Sequence, residues 1–135
     1  MIKLLIVDDE EEIRRFLSEF FTDRGYSILT ASTKEEALLV LEREEPKIAL
    51  LDIRMQGQRD GIEILRWIKD QGLKVKTIMV TGVETSEAVE EAKRMGADDY
   101  ITKPLSLEYL EKSVSQRIAT LAGESKEENF WPTSS

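Results

Sequence analysis

The chain has 135 residues, enough for one domain with a real core, and its 41% hydrophobic and 34% charged residues mark a globular chain rather than a disordered one. A net charge of −8, from 27 acidic and 19 basic residues, gives no electrostatic encouragement to nucleic-acid binding. Cysteine and histidine are absent, which excludes disulfides, thiolate chemistry, Ser-His triads, phosphohistidine and imidazole-held metals; any bound cation must take oxygen ligands, as Mg²⁺ or Mn²⁺ does.

Met1-Ile2-Lys3 leads directly into a predicted strand, Ile2–Val7, without the charged-then-apolar pattern of a signal peptide. No run approaches the roughly 18 apolar residues of a membrane span, so no membrane contact and a cytoplasmic location are expected. A helix follows with Ile13, Phe16, Leu17 and Phe20 at i, i+3, i+4 and i+7, stopping at Gly25. The second strand is Tyr26–Thr30. The second helix starts at Ser32 or Thr33, with Ser32 and Glu35 fitting a capping box, and runs through Ala37, Leu38 and Leu41 toward Pro46. Strand three is Ile48–Leu51. The third helix follows Gly61 with Ile64, Leu65 and Ile68 inward and ends near Gly72.

Strand four is Thr77–Val80, and the fourth helix carries Ala88, Val89, Ala92 and Met95 before Gly96. Strand five is Asp99–Thr102. The last helix opens after Pro104 with Ser106 as cap and repeats Leu107, Leu110, Val114, Ile118 and Leu121. Five strand-helix alternations predict an α/β fold with a parallel sheet covered on both faces and right-handed crossovers. From residue 122 the composition turns polar, so 1–121 is read as the domain and 122–135 as a tail or linker stub.

The chemistry gathers at strand ends. The apolar run Leu4–Val7 ends in Asp8-Asp9, Ile48–Leu51 in Asp52, Ile78–Val80 in Thr81-Gly82, and Tyr100–Thr102 in Lys103-Pro104. If these are neighbouring parallel strands, three acids, one hydroxyl and one ammonium share one edge, where open α/β sheets bind ligands. Carboxylates ~4 Å apart repel by ~4 kcal/mol at an effective dielectric near 20, so either one acid has a raised pKa or a divalent cation neutralises the cluster. The first strand has no Gly-rich loop after it, which argues against a dinucleotide or P-loop ligand.

Asp8-Asp9, Asp52, Thr81 and Lys103-Pro104, in this order and with Gly96-Ala97-Asp98-Asp99-Tyr100-Ile101 leading into the lysine, resemble the receiver domain of two-component response regulators over about residues 1–121. The resemblance implies a flavodoxin-like doubly wound sheet of five strands in order 2-1-3-4-5, with five helices. It implies a signalling switch rather than an enzyme, one that catalyses only its own phosphorylation and dephosphorylation. Asp52 would be the phosphoacceptor. Asp9 and Asp52 would bind Mg²⁺ (or Mn²⁺), Asp8 would act through a bound water, and the backbone carbonyl of Arg54 would complete the protein ligands. Lys103 and Thr81 would bind phosphoryl oxygens, and Tyr100 would move inward with Thr81. That movement would alter the surface of helix 4, strand 5 and helix 5. A cis peptide before Pro104 would shape the turn. Implied partners are a sensor histidine kinase or phosphotransfer protein and an output domain or downstream protein. Apart from the resemblance, the charged residues Glu91, Lys93, Arg94, Asp98 and Arg117 are candidates for salt bridges to a second copy through the helix 4/strand 5/helix 5 face.

The chain departs from the family after Asp52. Gln56 stands where receivers usually have proline, and one extra residue precedes Asp60-Gly61, which leaves the loop's rigidity and the start of the third helix open. Arg54 and Val83, two residues past Asp52 and Thr81, flank the phosphoryl group in such domains and are expected to tune phosphate lifetime. Each residue also has a plainer reading: Asp8 or Asp9 as a helix cap, Thr81 as a strand former, Lys103 as a solvated lysine, and Tyr100 as static packing. Trp67 reads as packing or surface, and Glu10-Glu11-Glu12 as favourable charge at a helix N-terminus. Two other functions compete, a haloacid-dehalogenase-like Mg²⁺-dependent phosphatase and an unphosphorylated pseudo-receiver. The first needs a second acid two residues beyond its nucleophile, where Arg54 stands; the second does not need the full set of acids, threonine and lysine.

Overall fold

A computed structural model of the chain describes residues 1–82 and 87–123. The chain divides into two compact units, Met1–Lys103 and Pro104 onward, each described by itself. In the first, five strands form one sheet: β1 (Lys3–Val7), β2 (Ser27–Ala31), β3 (Ile48–Asp52), β4 (Lys76–Thr81) and β5 (Asp99–Thr102). All neighbours are parallel and the order is β2-β1-β3-β4-β5, as the resemblance implied. The connecting helices are α1 (Glu11–Thr22), α2 (Lys34–Glu44), α3 (Asp60–Gln71) and α4 (Glu87–Arg94).

Central strands of a parallel sheet are covered on both faces and so read as unbroken apolar runs. Leu5, Val7, Ala49, Leu51 and Met79 join one cluster with Ala37 and Leu41 of α2, Ile64, Leu65 and Ile68 of α3, and Val89 and Ala92 of α4. The alternate positions Leu4, Ile6, Leu50 and Ile78 are buried as well. α1 contacts β1 and β2, and it brings Leu17, Phe20 and Phe21 inward. Phe21 meets Phe20 and Tyr26 edge-on, with ring centroids 4.8 and 5.8 Å apart.

The expected inward stripe of α1 is thus turned by one residue. Phe16 is exposed, and Phe21, absent from that stripe, is fully buried, where its ring packs against both Phe20 and Tyr26. The cap of α2 is likewise shifted from Ser32 to Thr33. The Thr33 side chain accepts from the Glu36 N–H at 3.1 Å, and Glu36 Oε1 accepts from the Ser32 N–H at 2.7 Å. The cap thus falls one residue later than the Ser32–Glu35 pair, and the glutamate reaches back past it to Ser32.

In the second unit the helical stretch 107–122, here α5, is α-helical over Leu107–Tyr109, π-helical over Leu110–Val114 and α-helical over Ser115–Ala122. Ser106 caps it, accepting from the Tyr109 N–H at 3.1 Å. Buried positions are Leu110, Val114, Ile118 and Ala122, with Leu107 exposed and Leu121 only half-buried, unlike the expected stripe. A strict spacing of four outruns 3.6 residues per turn, and the wider π turn absorbs the difference. Gly123, in the left-handed region at φ 80°, ends the helix. The expected tail lies, beyond that point, outside the described residues.

Candidate functional site

Sheet register brings the strand-end residues together. Val7 stands opposite Leu51, Asp52 opposite Val80, and Thr81 opposite Thr102, so Asp8, Asp52, Thr81 and Lys103 emerge along one edge within about one rung of each other. Backbone hydrogen bonds carry the ladder past the strands: Asp8 N–H to Ala31 C=O at 3.1 Å, Ile53 N–H to Val80 C=O at 3.0 Å, and Lys103 N–H to Thr81 C=O at 2.8 Å. The side chains therefore leave a rigid backbone.

Asp8 and Asp52 are 3% and 5% exposed, which ionised carboxylates tolerate only with compensation. Lys103 supplies it, with Nζ 3.1 Å from Asp8 Oδ2 and 3.3 Å from Asp52 Oδ2. The other Asp8 oxygen accepts from the Glu10 N–H at 2.8 Å, and Arg14 donates to the Asp8 carbonyl at 2.8 Å. Burial, and then the negative charge of Asp8, push the Asp52 carboxyl up to about 7 against the opposing pull of Lys103. Burial lowers the Lys103 ammonium, but Asp52 and Asp8 outweigh it and hold the group above lysine's usual value. The site without a cation therefore holds more negative charge than one ammonium can settle.

Asp8, Asp9 and Glu10 form the acidic group whose carboxylate oxygens lie within 4.8 Å of one another among the described residues. Asp9 and Glu10 are exposed while Asp8 is buried, and Glu10 Oε2 also reaches Lys103 Nζ at 3.8 Å. Glu10, read from sequence only as helix-end charge, belongs to this cluster; its place directly after Asp8-Asp9 was the available signal. Asp52 stands beside the group and shares the Lys103 ammonium with Asp8. Such an all-carboxylate donor set, with surplus negative charge, fits a hard divalent cation.

The loop after Asp52 is ordered by its own acid. Asp60 begins α3, and its Oδ2 accepts from the Gly57 N–H at 3.0 Å, which answers the open question of where the helix starts. Gly61 donates to the Ile53 carbonyl at 2.9 Å. Arg54, Gln58, Arg59, Gly82 and Glu87 line, with Asp52, Thr81 and Lys103, a cavity of about 570 Å³. Thr81 is buried at 7% exposure. Tyr100 is half-buried, with Lys93 Nζ 4.8 Å from its ring centroid. Trp67 is partly buried against the core. Val83 lies outside the described residues, and Pro104 opens the second unit, exposed.

Four of the residues proposed to bridge two copies are engaged within the chain. Glu91 pairs with Arg59 and Arg66, Lys93 lies 3.7 Å from Glu90, the Asp98 carboxylate accepts from the Thr77 N–H, and Arg117 donates to Ser113 Oγ. No helix among the described residues is long and apolar enough to cross a membrane.

A family model described as the response regulator receiver domain matches residues 4–115. The chain is 33% identical over 116 residues to sporulation initiation phosphotransferase F of Bacillus subtilis, covering 86% of this chain and 93% of that protein. It is 39% identical over 104 residues to the alkaline phosphatase synthesis transcriptional regulatory protein PhoP of the same organism, covering 77% of this chain but 43% of PhoP. The chain therefore spans under half the length of some curated relatives and nearly all of another. Among solved structures, a CheY-like response regulator receiver domain protein from Methanospirillum hungatei JF-1 superposes with a TM-score of 0.80 at 31% identity, covering 94% of this chain and 98% of that one.

Proposed function

The chain belongs to the response regulator receiver domain family, a phosphorylation-activated switch of two-component signalling, and from that premise we propose that Asp52 is the residue phosphorylated. The phosphatase and pseudo-receiver alternatives are not favoured by these matches. Receiver domains work with histidine kinases and output domains; for this chain the donor is read as a histidine kinase or phosphotransfer protein and the setting as cytoplasmic.

One observation carries the reading: a single ammonium held 3.1 Å from Asp8 and 3.3 Å from Asp52 at the carboxyl edge of a parallel sheet. In the proposed transfer an Asp52 carboxylate oxygen attacks phosphorus and a new O–P bond forms. The donor's P–N bond breaks, and its imidazole nitrogen leaves with the electron pair. Lys103, already charged and already in place, meets the oxygens on which negative charge gathers, with no reorganisation at that moment. Asp8, Asp9, Asp52 and the Arg54 carbonyl would hold Mg²⁺ (or Mn²⁺), with Glu10 adjoining. The cation supplies charge neutralisation and a template for the phosphoryl oxygens. Thr81 donates its hydroxyl to a phosphoryl oxygen. Tyr100, whose ring rests against Lys93 in the present state, follows it inward.

Incubation with acetyl phosphate and Mg²⁺, followed by intact mass, tests the assignment. Wild type gains one phosphate and Asp52→Asn gains none; equal labelling of both, or of neither, refutes it.

A further inference from the structure

Arg59 closes the loop between β3 and α3 and lines the cavity that also holds Asp52, Thr81 and Lys103. Its guanidinium is turned to α4, where Nη2 lies 2.8 Å from Glu91 Oε2. The same oxygen is 3.5 Å from Arg66 Nη2 of α3. Among the described residues, then, Glu91 serves two arginines.

This sharing makes Arg59 easy to detach. Its side chain is 47% exposed and that of Glu91 27%, and exposed ion pairs hold weakly. If Arg59 leaves, Arg66 remains for Glu91, so no carboxylate is orphaned. A phosphoryl group on Asp52 brings about two negative charges into a cavity that Arg59 already lines. Guanidinium–phosphate hydrogen bonds are charge-assisted and can be bidentate, a stronger partnership than a shared, solvated carboxylate. Lys103 is one ammonium shared with Asp8, so a guanidinium adds charge that the phosphoryl group would otherwise lack.

We propose that Arg59 exchanges Glu91 for the phosphoryl group on Asp52, acting as a second cation for that group and releasing the β3–α3 loop from α4. The inference deepens the reading of Asp52 as acceptor and rests on it. It has an unusual thermodynamic signature. Glu91 competes with the phosphoryl group for one guanidinium, so removing Glu91 and removing Arg59 move phosphoryl affinity in opposite directions.

The test titrates beryllium trifluoride, an acyl-phosphate mimic, into the full chain with Mg²⁺, with bound fluoride followed by fluorine NMR. Arg59→Gln weakens the adduct about threefold to tenfold. Glu91→Gln tightens it about twofold to fivefold, the strength of a weak exposed pair. In the double variant the tightening disappears, because the competitor acts only through Arg59. If the pair merely braces the loop, both single variants shift affinity the same way; that result, or no shift in either, overturns the exchange. Asp52→Asn separates the two layers of the argument. A wild type that forms no adduct, or an Asp52→Asn protein that forms one, overturns the acceptor assignment and the exchange with it, whereas a normal Asp52-dependent adduct with unmoved variants overturns the exchange alone.

Discussion

At the scale of single residues, Gly61 lets the start of α3 pack closely against the backbone of Asp52 and Ile53. A β-carbon at position 61 would stand 2.4 Å from the Asp52 carbonyl oxygen and 2.7 Å from the Ile53 Cα. Neither neighbour is a flexible side-chain tip, so relieving the clash requires a backbone shift, of the strand end that carries Asp52 or of the first turn of α3. Gly61→Ala is expected to cost about 2–4 kcal/mol in urea unfolding and to slow phosphorylation by acetyl phosphate. Asp52 itself opposes folding when ionised. Its carboxyl titrates near 7 in the folded protein, above its unfolded value, so the folded state binds the proton more tightly. Its favourable contribution is complete below about pH 4 and is lost as pH rises toward 7. Without metal, Asp52→Asn should therefore stabilise the protein by about 2 kcal/mol at pH 8 and by almost nothing at pH 4, as read from denaturation at the two pH values.

At the scale of elements, the helices were legible where periodicity and caps agree. α3 shows its inward face Ile64, Leu65 and Ile68 and its left-handed stop at Gly72, φ 70°, directly in the sequence. α1 and α5 show the limit of that reading. Which of several adjacent apolar residues faces inward depends on the rotation of the helix against its neighbours, and the π turn at Leu110–Val114 shows in the sequence only as a spacing of four, which is also ordinary helical spacing. The cap of α2 is a similar case, since Ser32 and Thr33 can both accept and only the backbone entry angle chooses. Thr33 sits in extended conformation at φ −137° and accepts from Glu36. Thr33→Ala is expected to lower stability by about 1 kcal/mol, measurable as a shift in the urea midpoint without a change in slope.

At the scale of the whole molecule, the acidic cluster and the sheet edge make one electrostatic unit. Its surplus charge predicts that Mg²⁺ stabilises the fold, by about 1.4 kcal/mol when the cation is at ten times its dissociation constant. Below pH 7 the cation must displace a proton from Asp52, so the melting-temperature rise produced by Mg²⁺ should shrink between pH 8 and pH 5.5, and Asp9→Asn should reduce it at both. Strand identity, the acids at strand ends, and Lys103 ahead of Pro104 were all set by local composition, because burial on two faces writes an apolar run and a polar end into contiguous residues. The inclusion of Glu10 in the cluster, the ammonium shared between Asp8 and Asp52, the close approach that demands Gly61, and the Arg59–Glu91–Arg66 link all join segments distant in the chain or turn on side-chain direction. Those depend on strand register and helix rotation, which arise only when the whole core packs at once and which no stretch of residues encodes alone.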